Sequence, residues 1–258
     1  MPGIRKFKAT LAYDGSGYHG WQVQAGEPSV QETVEKALGE ILGHAVRVTA
    51  SGRTDAGVHA FGQVISFESA SVIPEEGLLK AMNSKLPPDI SVREVRKTGP
   101  DFNARYRATA KSYLYFVDTA KVMSPFLVRY ALHLPGDLDV AAMDRAARML
   151  QGEHDFRSFM GSGSAVRTTT RRILEAQVFS KGSQVFFFIR GSGFLRHMVR
   201  NIVGTLIPVG QGKTSPEGMA QILGLRDRTK AGPTAPPQGL YLVSVEYAGE
   251  GPGFSDDE

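Results

Sequence analysis

The chain has 258 residues, 41% of them hydrophobic, which is enough apolar material for one large domain or two small ones. It has no cysteine and six scattered histidines without a His-Glu-x-x-His spacing, excluding disulfides and cysteine-ligated zinc and leaving no expected metal site. The net charge of +4 becomes +8 without the four acids of the Gly249–Glu258 tail, and no apolar run spans a bilayer or forms a signal-peptide core near Met1, so the expected location is cytoplasmic.

Lys8 to Tyr13 reads as a strand. Ser29 and Glu32 form a capping box opening a helix through Leu42, in which Val30, Val34, Ala37, Leu38 and Ile41 recur at three- and four-residue spacing as one apolar stripe. Strands follow at Val46 to Ala50 and Val64 to Glu68, then a helix at Glu75 to Lys85 and a strand at Ile90 to Arg96. The rest repeats that order. It runs through a strand at Thr109 to Val117, a helix at Val140 to Leu150, paired strands at Ile173 to Ser180 and Gln184 to Arg190, a helix from Phe194 to Pro208 and a strand from Leu240 to Tyr247.

Each half therefore matches a split βαβ, ferredoxin-like unit. The expected fold is α+β, with two such halves joined into one mixed, mainly antiparallel sheet, helices on one side and a cleft where the halves meet. The halves are placed at residues 1–104 and 105–248, with a linker near Pro100 to Arg107, and the acidic tail 249–258 is expected to be disordered. Gln151 to Arg172 holds Gly152, Gly161, Gly163 and three consecutive threonines and reads as a mobile surface loop. Ala231 to Pro237 carries three prolines and reads as a stiff connector.

Chemistry concentrates in Ser51-Gly52-Arg53-Thr54-Asp55-Ala56-Gly57-Val58-His59-Ala60, where one carboxylate stands beside one guanidinium in a glycine-punctuated turn between strands. The plain alternative is an Asp-Gly hairpin with a surface salt bridge. Basic residues gather as Arg105, Arg107 and Lys111, then Arg167, Arg171 and Arg172, then Arg190, Arg196 and Arg200. A polyanionic partner fits them, although a solvated basic surface accounts for them as well. Strand alternation puts Tyr113 and Tyr115 on one face. Arg200 lies on a narrow polar stripe of a helix otherwise made of Phe194, Leu195, Met198, Val199, Ile202 and Val203.

The Asp55 string resembles the active-site motif of the tRNA pseudouridine synthase A family. Tyr13-Asp14-Gly15-Ser16-Gly17-Tyr18-His19-Gly20-Trp21-Gln22 is similar to the family's opening turn, and Ser29-Val30-Gln31-Glu32 to its first helix start. Phe102-Asn103-Ala104-Arg105 with Ala108 to Tyr115 resembles its tyrosine motif, Gly193 to Gly204 its arginine helix, and Thr234 to Leu242 its entry to the last strand. The resemblance covers nearly the whole chain and implies the pseudouridine synthase fold, a homodimer, and tRNA as the partner. The implied reaction isomerises uridine to pseudouridine at tRNA nucleotides 38, 39 and 40 in the anticodon arm. Nothing is oxidised and no group is lost, so no cofactor is expected.

The resemblance further implies Asp55 as nucleophile or carboxylate catalyst, Tyr113 stacking on the uracil with a role as base at C5, and Arg200 paired with Asp55. Arg53, Arg105, Lys111 and Arg196 are the accompanying substrate-binding candidates, with Arg53 either contacting phosphate or bracing its loop. Two other readings stand beside this one. A non-catalytic RNA-binding or RNA-folding module gains nothing from a carboxylate facing phosphates, and a nucleoside hydrolase lacks a second carboxylate in the motif set to activate water.

Overall fold

The computed structural model describes residues 3–163 and 166–249; the disorder expected of the acidic tail falls on residues 250–258, outside the described residues. The chain divides into two compact units. One holds the residues up to Thr109 together with those from Leu242 onward, and the other is Ala110–Tyr241. The division falls inside a strand, after the Pro100 to Arg107 segment, and the last strand returns to the first unit.

The first unit contains β1 (Arg5–Tyr13), α1 (Val30–Leu42), β2 (Thr49–Ala50), β3 (His59–Ser69), α2 (Glu75–Lys85) and β4 (Ile90–Thr98), and receives most of β10 (Leu240–Tyr247). Its strands run β4-β1-β3-β10, with β2 also on β3. The β4-β1-β3-β2 arrangement is that of a ferredoxin-like sheet. β1 is antiparallel to both neighbours, with Ala9 opposite Ile65 on one side and Val95 on the other. Phe7, Ala9, Leu11 and Tyr13 are buried at alternate positions, as a half-covered sheet requires. Ser29 caps α1 by accepting the Glu32 amide, and Val30, Val34, Ala37 and Leu38 are buried along the expected stripe. One expected strand is shorter than its sequence suggests. Val46 and Val48 are buried, yet the Val48 N–H donates to Glu35 Oε1 at 3.1 Å, so only Thr49 and Ala50 pair as strand.

The second unit contains most of β5 (Ala108–Asp118), then β6 (Leu132–His133), α3 (Val140–Arg148), β7 (Gly152–Asp155), β8 (Thr170–Lys181), β9 (Gln184–Gly191), α4 (Met198–Gly210) and α5 (Gly218–Leu225). Its strands run β5-β9-β8-β7, and β6 pairs in parallel with β5, which makes the pairing mixed. The β5-β9-β8 order repeats the β1-β3-β2 order of the first unit. Tyr113 faces Ile189 and Tyr115 faces Phe187 across β5 and β9, on a buried face. On the opposite face Phe116, Phe186 and Phe179 stack in a row at 4.9 and 5.3 Å, and Phe179 remains 43% exposed.

Two expectations are corrected here. The helix foreseen from Phe194 begins at Met198, because His197 takes a left-handed backbone (φ 57°) that cannot continue a helix. The segment Gln151 to Arg172, foreseen as a mobile loop, contains β7 and a turn of 3-10 helix at Arg157–Phe159. Phe156 and Phe159 are fully buried there, and the Phe156 N–H donates to Thr169 O at 3.0 Å. Burial of two phenylalanine rings, about 2–3 kcal/mol each, outweighs the glycines that suggested a loop. Neither β6 nor α5 was foreseen from the sequence.

Candidate active site

Asp55 lies in the first unit, half-buried on the loop between β2 and β3. It opens a tight turn in which the Val58 N–H donates to the Asp55 carbonyl at 3.1 Å, and Gly57 supplies the positive φ (75°) that the third turn position demands. Upstream, the fully buried Ser51 hydroxyl donates to Gln63 Oε1 at 2.7 Å, and Gln63 Nε2 donates to Gly52 O at 2.8 Å. Thr54 shares a 2.8 Å hydrogen bond with the Tyr13 hydroxyl, whose burial pushes its pKa up to about 12. These bonds fix the residues on either side of the carboxylate.

The opening turn after β1 closes on the same loop. The Trp21 N–H donates to Thr54 O at 3.0 Å, and the Gly57 N–H donates to Tyr18 O at 3.3 Å. Gly20, at φ 91°, packs against the loop so closely that a Cβ there would lie 2.7 Å from Thr54 O and 3.1 Å from Ala56 N. Two of the sequence motifs therefore form one structure, in which the first turn clamps the backbone that carries Asp55. The backbone that carries Asp55 is thus held without help from a ligand, which is the kind of preorganisation catalysis requires.

Tyr113 and Arg200 belong to the second unit. Tyr113, 8% exposed on β5, meets the edge of Phe194 with ring centroids 5.0 Å apart. Tyr115, two residues along the same face, is fully buried and donates its hydroxyl to Pro236 O at 2.8 Å. Burial raises the Tyr115 phenol above its ordinary pKa, and the charge of Arg200 opposes that rise. Arg200, half-buried in the first turn of α4, donates Nε to Ala235 O at 2.7 Å, while the Ala235 N–H donates to Arg200 O at 3.1 Å. The proline-rich connector is therefore more than a stiff link. It is a strap that holds the arginine helix and the tyrosine strand by their polar atoms.

The strap lies against α4 without space for a side chain. A Cβ on Gly204 would collide with the Pro233 carbonyl, and one on Gly232 with the Gly204 carbonyl. Fully buried Asn201 ties the same region together. It donates Nδ2 to Phe159 O at 2.8 Å and accepts at Oδ1 from Thr234 (2.7 Å) and Arg228 (3.0 Å). Asn201, Thr234 and Arg228 were not singled out from the sequence, although an amide within an apolar helix was a legible signal that a polar partner awaited it.

The remaining candidates divide between the units. Arg53 is exposed on the Asp55 loop, and Arg105 is exposed above the Tyr106 ring at 5.6 Å. Lys111 is half-buried on β5 opposite Gly191, and exposed Arg196 donates to Ser162 O at 3.1 Å. Among the described residues no group of three or more His, Asp or Glu is placed to hold a metal, and no helix is long and apolar enough to cross a membrane.

A family model described as tRNA pseudouridine synthase matches residues 9–107 and 146–248. The chain is 50% identical over 242 residues to a protein named tRNA pseudouridine synthase A from Moorella thermoacetica, covering 93% of this chain and 98% of that one. Proteins of the same name from Geobacter sulfurreducens and Syntrophomonas wolfei are each 46% identical over 244 residues, covering 95% of this chain and 100% and 98% of theirs. Among solved structures, a chain of a Cbf5-Nop10-Gar1 complex matches 78% of this chain and 45% of its own length, at 14% identity and a TM-score of 0.37.

Proposed function

This chain belongs to the tRNA pseudouridine synthase family and is an isomerase of uridine in tRNA; on that premise we propose that Asp55 is its essential carboxylate and that its targets are nucleotides 38, 39 and 40 of the anticodon arm. The observation that carries the proposal is the clamped loop, in which a half-buried carboxylate is set on a backbone fixed from both ends. The reaction breaks the N1–C1′ bond, turns the uracil and forms a C5–C1′ bond, with one proton lost from C5 and one gained at N1. Positive charge develops on the ribose as the bond breaks. Asp55 opposes that charge, by electrostatics or by bonding to C1′.

Tyr113 is assigned to stack on the uracil and to serve at the C5 proton, and Arg200 to pair with the Asp55 carboxylate. Because C1′ and C5 are inaccessible in stacked RNA, the target nucleotide has to leave its stack, and Arg53, Arg105, Lys111 and Arg196 are assigned to the phosphates around it.

Purified protein in excess chelator is expected to release tritium from C5-labelled uridine in tRNA while releasing no free uracil. Free uracil would identify a hydrolase instead, and absence of tritium release would reduce the protein to an RNA-binding module. We also propose a cytoplasmic homodimer, supported by the family and by the stacked rings of Phe116, Phe186 and Phe179, of which the first two are half-buried and Phe179 is 43% exposed. Light scattering is expected to give twice the 28.0 kDa of one chain, and a single-chain mass at micromolar concentration would overturn it.

A further inference from the structure

We infer that Arg228 is a positioning residue for this reaction, acting through the strap that holds Arg200. Its guanidinium donates to Ala231 O at 3.3 Å, Gly232 O at 2.9 Å, Thr234 Oγ1 at 3.2 Å and Asn201 Oδ1 at 3.0 Å. Three of these four oxygens lie on the strap, and the fourth belongs to the residue after Arg200. The strap then presents Ala235, whose carbonyl accepts Arg200 Nε at 2.7 Å and whose N–H donates to Arg200 O. Arg228 thus fixes the acceptor that aims the neighbouring guanidinium.

Arg228 is itself well anchored. It opens a turn of 3-10 helix at Arg228–Lys230 capped by Asp227, whose Oδ1 accepts from the Thr229 N–H at 2.9 Å and the Thr229 hydroxyl at 2.8 Å. These bonds hold the Asp227 carboxyl below its ordinary pKa. The Asp227 N–H donates to the fully buried Ser158 hydroxyl at 2.9 Å. All four acceptors of the Arg228 guanidinium are neutral, so a planar fork of donors is being used where a bare positive charge would not serve. A lysine at this position has the charge but cannot reach several divergent oxygens at once.

The inference rests on the reaction proposed above, and a mutant cycle tests it with tritium release from C5-labelled tRNA. Arg228→Lys and Arg228→Met are each expected to lower kcat by about 30-fold or more, since small displacements of a catalytic group cost up to about 100-fold, while KM for tRNA stays within about threefold. In an Arg200→Lys background the same substitutions are expected to cost less than about threefold, because residues acting through one another are non-additive. Full activity of Arg228→Lys would assign the residue's value to its charge and overturn the positioning role. So would an equal loss in both backgrounds, or a rise in KM at unchanged kcat, which would mark an RNA contact. If the Arg228 variants fail to fold, Thr234→Val replaces them in the cycle with the same expected non-additivity, and additivity there is equally fatal. A wild-type protein that releases no tritium would sink the reaction itself, and the inference with it.

Discussion

Replacing Asp55 by asparagine is expected to lower turnover by about 10^4-fold or more, the scale seen when one member of a catalytic set is removed, with fold and tRNA affinity kept. The substitution is nearly isosteric. The loop around it is held by bonds from its neighbours, Ser51 to Gln63, Thr54 to Tyr13 and Gly57 to Tyr18, all of which the variant retains. What it removes is the negative charge proposed above to oppose the developing cation on the ribose. Single-turnover tritium release beside filter binding of tRNA separates the two quantities. Turnover within tenfold of wild type would strip Asp55 of its role, and loss of tRNA affinity in parallel with turnover would make it a binding residue.

The second large effect is expected from a methyl group far from the carboxylate in sequence. Gly204→Ala places its Cβ onto the Pro233 carbonyl. Because the obstacle is backbone, it cannot swing aside as the end of a side chain would, so α4 and the strap have to separate at a cost of about 1–3 kcal/mol or more. Separation also loosens the paired bonds between Arg200 and Ala235, and turnover is expected to fall by about 100-fold. Gly224→Ala is the matched control. That residue lies in α5 with nothing within 4 Å of a Cβ, so alanine is expected to leave stability unchanged or raise it by up to about 1 kcal/mol. Calorimetry and tritium release on both variants decide the matter; a Gly204→Ala protein that melts and turns over like wild type would show that the close approach does not matter.

The elements with strong local signals were legible in the sequence. The Ser29 and Glu32 pair located the start of α1 because a capping side chain acts within its own turn, and the strand Leu240 to Tyr247 and helix Glu75 to Lys85 were bounded by prolines and polar residues that act equally locally. The elements that depend on distant partners were not. Nothing near Val48 announces that its amide turns to Glu35, and nothing near Gly152 announces a partner strand, since the burial of Phe156 and Phe159 is decided by segments elsewhere in the unit. Among candidate site residues, Asp55 drew attention because its whole string, held in one short loop, resembles a known motif. Arg228 did not, because its four acceptors become neighbours only once the strap has folded against α4.

The passage of β10 back into the first unit bears on how the protein is made. Leu242 to Tyr247 complete a unit whose other strands are translated before Thr109, with all of Ala110–Tyr241 intervening. Most chains can fold their N-terminal parts while the remainder is still in the ribosome. Here the unit bearing Asp55 is completed by a strand translated only after the whole of the second unit, so a nascent chain holds every residue of its first motif long before it has the finished scaffold to use it. Pairing so distant in sequence also makes closure of that sheet a slow step.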